Sequence, residues 1–237
     1  MENTLVENVE KLDSKIEKCI NSLGEKFLKW PYNFFTESDA HSFLYYYIFR
    51  SGYKLLKQRY PTKDSSIKTV LIHREYPTSF RYRKSNMKLD EKGGRGHYDL
   101  VVLNPDFVAS HSIGEVIAKD FKKCCKDEND HLLAAIEFKL IVNPLSKALE
   151  SEIEKDFQKL TWSIINRQAR SAYMIIFNRV RPEKAFADSL RKIALQNPHV
   201  KGLYLESVVG EKRHYDPTYL NEWTQRLRFT RKASSKL

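Results

Sequence analysis

Two apolar runs separated by one amphipathic segment constrain this chain more than any other feature. Leu132 to Ile141 reads as a strand, and Ala172 to Phe177 is almost purely apolar, the pattern of a strand buried on both faces. Between them, beyond Asn143-Pro144, the segment from Leu145 to Arg170 carries a helical period. A strand, a crossover helix and a second strand place the two strands parallel in one sheet.

The remaining patterns extend that unit in both directions. Ile67 to Tyr76 and His97 to Leu103 read as strands, the second introduced by Gly93, Gly94 and Gly96, and Val200 to Glu206 as another. Helices are expected over residues 1–29, over 37–57, near Ile113 to Lys123, over Pro182 to Leu195 and, briefly, over Pro217 to Leu227. Thr36 stands at the N-cap position of the second helix, with Asp39 three residues on as the capping-box carboxylate. The order favours an α/β fold: a mixed sheet flanked by helices, occupying residues 31–237 with a core over about 36–206 and a basic C-terminal helix and tail. Residues 1–30 form an N-terminal amphipathic extension. Its stripe of Leu5, Val9, Leu12, Ile16, Cys19, Leu23 and Phe27 either packs on the domain or pairs with a second copy as a homodimer.

Charge narrows the choice of partner. The chain has 41 Lys and Arg against 30 Asp and Glu, a net +11. Residues 54–97 hold 12 basic and 4 acidic side chains, and residues 179–237 hold 13 and 6, so two basic stretches flank an acidic middle. A polyanion fits that distribution better than solubility alone. Arg81, Arg83 and Lys84 lie in the densest basic cluster, and Arg95 is a further residue expected to meet phosphates. Cys19, Cys124 and Cys125 make no CxxC pair, which argues against a disulfide framework or a cysteine zinc site. With no long apolar run and a polar, acidic start, a cytoplasmic protein that does not enter membranes is expected.

The chemically suggestive carboxylates interrupt the apolar strands. Asp99 lies within Tyr98-Asp99-Leu100-Val101-Val102, and Glu137 and Lys139 within Ile136-Glu137-Phe138-Lys139-Leu140. Strand alternation sends Glu137 and Lys139 to one face and Ile136, Phe138 and Leu140 to the other. Carboxylates grouped in this way suit Mg²⁺ or Mn²⁺, and a nearby ammonium can stabilise hydroxide or developing phosphorane charge. A cross-strand ion pair on a solvated face is the alternative. His41, His73, His97, His111 and His131 form no metal-ligand spacing, although His97 shares a strand face with Asp99. Gly93-Gly94-Arg95-Gly96 leads into a strand, so it reads as a turn and not as a phosphate loop.

Asp99 in Gly96-His97-Tyr98-Asp99-Leu100-Val101-Val102, followed by Ile136-Glu137-Phe138-Lys139, resembles the PD-(D/E)XK nuclease superfamily, the restriction-endonuclease-like fold. Tyr98 stands where a proline often precedes the aspartate. The opening Thr36-Glu37-Ser38-Asp39-Ala40 resembles the superfamily's first core helix, and His73-Arg74-Glu75-Tyr76-Pro77 its first core strand. Asp156-Phe157-Gln158-Lys159-Leu160 and Ala172-Tyr173-Met174-Ile175-Ile176-Phe177 resemble its crossover helix and following strand. The resemblance spans about residues 36 to 178 and implies a Mg²⁺- or Mn²⁺-dependent nuclease acting on DNA, with RNA not excluded. It implies that Asp99, Glu137 and the backbone carbonyl of Phe138 bind the metal, that Lys139 positions or activates water, and that Glu37 completes the acidic cluster. Lys159 joins the basic residues expected to meet phosphates. The alternatives are a non-catalytic nucleic-acid-binding module of the same fold and a self-associating interaction protein.

Overall fold

The computed structural model describes residues 2–51, 53–83, 92–117, 131–180, 184–207 and 218–219, with side chains between Lys11 and Ser207. Helix α1 (Glu2–Lys29) leads through a short 3-10 turn, Pro31–Asn33, to α2 (Glu37–Arg50) and the single turn α3 (Lys54–Lys57). Strands β1 (Tyr60–Pro61) and β2 (Lys68–Thr69) pair with each other, and β3 (Ile72–Tyr82) and β4 (Gly94–Leu103) open the main sheet. Short helices α4 (Pro105–Ser110) and α5 (Ile113–Val116) precede β5 (Leu132–Ile141), which is followed by α6 (Lys147–Ile165) and β6 (Ala169–Asn178). Helix α7 (Lys184–Gln196), β7 (Val200–Glu206) and β8 (Thr218–Tyr219) complete the described elements.

The main sheet runs β3-β4-β5-β6-β7-β8. It is antiparallel from β3 through β5, parallel from β5 through β7, and antiparallel again at β8. The α/β class, the mixed sheet and the parallel crossover are therefore as expected. Helix α1 covers one face, where Asp13 accepts from Ser171 at 2.7 Å, Glu17 meets Lys201 at 2.7 Å, and Phe27 stacks on Phe177 at 4.4 Å between centroids. Helix α6 covers the other face, which carries Glu137 and Lys139.

Several boundaries differ from expectation for local reasons. The helix expected over 37–57 divides after Ser51, and Tyr53 resumes as the extended cap of α3. The strand expected from Ile67 to Tyr76 divides into β2 and a longer β3 that runs to Tyr82. Helix α6 is capped by Ser146, whose hydroxyl accepts from the Leu149 N–H, and Arg167 in the left-handed region turns the chain into β6 before the expected end at Arg170. Thr218 and Tyr219, expected within a helix, instead extend the sheet along β7, where a β-branched and an aromatic residue suit a strand. The rest of that expected helix, the tail, and the continuation of the Ile113–Lys123 helix beyond Ile117 lie outside the described residues.

From Lys11 onward the α1 stripe is part of the core. Leu12, Ile16, Ile20, Leu23 and Phe27 are fully buried, each stabilising the fold by roughly 1.5–3 kcal/mol. Over these residues the apolar face is packed into the chain's own core, whereas the side chains of Leu5 and Val9 lie outside the described residues. No helix among the described residues is long and apolar enough to cross a membrane.

Candidate metal centre

The fork between β4 and β5 creates the site. These strands pair from Leu103–Leu132 to Leu100–Ile136, and there their ladder ends, while β4 continues along β3 and β5 continues along β6 to Ile141. Asp99 is the first residue past the fork. Its carboxylate accepts the Phe138 N–H at 2.6 Å, replacing the ladder bond that a neighbouring strand would have supplied. The cleft beyond encloses about 560 Å³ and is lined by Phe35, Glu37, His41, Glu75, Asp99 and Val142, among others.

Helix α2 brings two side chains to this cleft. Thr36 begins the helix as expected, and Asp39 accepts from the N–H groups of Phe35 and Thr36 at 2.8 and 2.9 Å. That cap fixes the first turn, so Glu37 and His41, four residues apart, lie on one helix face. Glu37 accepts from the Leu140 N–H at 3.3 Å and meets Lys139 at 3.4 Å. His41 sits beside Phe138, with ring centroids 5.0 Å apart.

Glu75 comes from β3, where its backbone has φ of 50°. A non-glycine residue in this left-handed region costs roughly 1–2 kcal/mol. Its neighbours Arg74 and Tyr76 pair with Leu100 and Tyr98, so Glu75 stands across from Asp99. One donor atom each from His41, Glu75 and Asp99 lies within 4.8 Å of the other two.

The donor set fits a divalent cation. The His41 ring is buried, yet neither nitrogen makes a hydrogen bond. Its nearest carboxylate oxygens, on Asp99 and Glu75, are 3.5 and 3.9 Å away. Two donors each about 2.1 Å from one ion stand roughly 3–3.5 Å apart, so the cluster needs only a small contraction to close on an ion. Burial opposes ionisation of Asp99, but His41 and the Phe138 N–H outweigh it and hold the carboxyl below its ordinary value. The site therefore presents an ionised ligand at neutral pH.

Glu137 and Lys139 reach α6, as strand alternation requires. Lys139 lies 3.9 Å from both Glu152 and Asp156, and this acidic cage with Glu37 outweighs its burial and raises its pKa, so it stays an ammonium. Glu137 is held by Lys159 at 2.8 Å, outside the three-donor cluster. Burial pushes the Glu137 carboxyl up, and Lys159 draws it back. Lys159, expected to meet phosphates, is instead buried: it also meets Asp156 at 3.2 Å and donates to the His97 carbonyl at 2.9 Å. A lysine on the sheet-facing side of α6 has no solvent to reach, so it pairs internally.

Arg81 and Arg83 are exposed, Arg81 donating to the Gly93 carbonyl at 3.2 Å, and Arg95 is partly exposed on β4. Lys84 lies outside the described residues. His41 and Glu75 are the site residues that sequence reasoning passed over. The signal for His41 was its position one helical turn after Glu37, whereas Glu75 depends on a β3–β4 register and a backbone angle that no local pattern announces.

Compared with family models, curated proteins and solved structures, the chain matches none. Fold and site together define an α/β protein whose mixed sheet carries a His/Glu/Asp cluster able to coordinate a divalent cation.

Proposed function

We propose that this chain is a divalent-cation-dependent nuclease acting on DNA, with the restriction-endonuclease-like fold of the PD-(D/E)XK superfamily. The observation that carries the reading is the convergence of His41, Glu75 and Asp99 at the β4–β5 fork, directly beside the Glu137-Phe138-Lys139 segment. The order β3-β4-β5, a crossover helix, then β6 and β7 supports it.

In this reading His41, Glu75 and Asp99 hold the cation, with Glu37 close enough to act through a water. Imidazole beside two carboxylates favours Mn²⁺ over Mg²⁺, since nitrogen donors bind later first-row ions more strongly. A bound divalent cation would acidify a water and neutralise charge on the phosphodiester. Lys139, kept protonated by Glu37, Glu152 and Asp156, contributes positive charge next to the cleft and is not a proton acceptor. Arg81, Arg83 and Arg95 hold backbone phosphates without reading sequence. Phe138 serves as the backbone anchor that orients Asp99.

The capture of Glu137 by Lys159 favours a second reading, a non-catalytic DNA-binding module of the same fold, because it withholds one carboxylate from the cation. Incubation with Mn²⁺ or Mg²⁺ and labelled duplex, single-stranded and branched DNA separates the two. The nuclease reading expects cation-dependent cleavage that disappears in Asp99→Asn and Lys139→Ala. Binding of the same DNA without cleavage under any of these cations would overturn it in favour of the module.

A further inference from the structure

The bend between α1 and α2 alternates anchors with exposed rings. Pro31 and Phe34 are buried, Phe34 packing against Phe27 and Phe177 at 5.5 Å and Phe43 at 5.2 Å. The residues between and beside them turn outward: Trp30 is 49% exposed, Tyr32 56% and Phe35 73%. The bend is held firmly, since Arg179 donates to the Phe34 carbonyl at 2.6 Å and the Phe35 N–H is fixed by Asp39. Three large rings are thus presented to solvent on a rigid support, and their exposure is not excess core.

Cations are interleaved with these rings. Lys29 lies 4.3 Å from the Trp30 ring centroid, and the Arg179 guanidinium 5.1 Å from that of Tyr32. The ledge is continuous with the metal cleft, because Phe35 and Thr36 line that cleft together with Glu37, His41, Glu75 and Asp99. An apolar protein partner would have to leave Lys29 and Arg179 charged at its interface. Unpaired bases satisfy both features at once, offering π-faces to the rings and phosphates to the cations. Paired bases inside a duplex do not expose those faces.

We propose that Trp30, Tyr32 and Phe35 form a stacking ledge for a single-stranded segment of nucleic acid that leads into the cleft. The inference rests on the reading of that cleft as a nucleic-acid site. It makes single-stranded or frayed DNA the preferred substrate, the rings holding bases while the cleft holds the phosphate to be attacked.

The test measures binding without cleavage. A fluorescein-labelled single-stranded oligonucleotide and the duplex of the same sequence are titrated in EDTA with the full chain and with Phe35→Ala, Tyr32→Ala and Trp30→Phe. The wild type should bind the single strand more tightly than the duplex and show tryptophan quenching that is lost in Trp30→Phe. Phe35→Ala should weaken single-strand binding about ten-fold and leave duplex binding nearly unchanged. Circular dichroism should show all three variants folded, since each ring is exposed. Equal losses for both DNA forms, unchanged single-strand affinity in the variants, or burial of the ledge in a self-associated form would overturn the proposal. Duplex cleavage without single-strand stacking would overturn the ledge and leave the nuclease standing, whereas ring-dependent stacking without cleavage in any cation would support the ledge and overturn the nuclease.

Discussion

Replacing Lys159 with Met tests the buried charge network under the cleft. The Lys159 and Glu137 side chains are only 7% and 4% exposed, and their charged atoms are 2.8 Å apart. Lys159 also meets Asp156 at 3.2 Å and the His97 carbonyl at 2.9 Å, so its removal strands a carboxylate and a carbonyl away from water. Breaking a buried pair from one side costs about 3–5 kcal/mol. For a chain of this size that corresponds to a fall in Tm of roughly 6–20 °C. Losing Lys159 leaves burial, Asp99 and Asp156 all raising the Glu137 pKa in the folded variant. A group whose folded pKa lies above its unfolded value gives its stability at low pH and loses it as pH rises, so the deficit should shrink as pH falls toward about 4. Urea unfolding of Lys159→Met at neutral and acidic pH measures both effects, and the double variant Lys159→Met, Glu137→Leu should recover most of the loss. A deficit below about 1 kcal/mol at neutral pH, the scale of an exposed pair, would refute the reasoning. So would a deficit that does not change with pH.

Burial in the core lifts the Cys19 thiol to about 11, leaving little thiolate at pH 8. In a Cys124→Ser, Cys125→Ser background, Cys19 should resist iodoacetamide until urea unfolds the chain, and rapid native labelling would show that α1 is not docked. Gly96 lies against the Tyr82 ring with no room for a side chain, so Gly96→Ala should cost roughly 1–3 kcal/mol in urea unfolding. If Arg81 and Arg83 meet phosphates, their alanine variants should weaken DNA binding and flatten its salt dependence, with Mn²⁺ affinity unchanged. Unaltered salt slopes, measured by anisotropy, would remove both from the interface.

The sheet was legible in the sequence where burial is two-sided. Leu132 to Ile141 and Val200 to Glu206 end in the structure where their apolar patterns end, because only a strand covered on both faces reads as a continuous run. Half-exposed β3 was harder to bound, since Arg74, Glu75 and Arg81 are exposed along it and its pairing with β4 shifts between Pro77 and Arg81. At the site, alternation placed Glu137 and Lys139 on one face, but it could not foresee that α6 would carry Lys159 to Glu137. Neither could it reveal that Asp99, just past the fork, would face His41 and Glu75. Those contacts depend on strand divergence and on one left-handed residue, which are properties of the assembled sheet.

Mn²⁺ binding to the full chain, followed by electron paramagnetic resonance, tests the proposed cation site most directly. A bound ion at His41, Glu75 and Asp99 predicts a saturable site whose affinity falls sharply in Asp99→Asn and in His41→Ala. Mg²⁺ should compete for it only at much higher concentration. Glu137→Gln should leave binding largely intact, because Lys159 already holds that carboxylate. Equal Mn²⁺ affinity in the wild type and Asp99→Asn would contradict the account, leaving the cluster as an ordinary group of charges at a sheet fork.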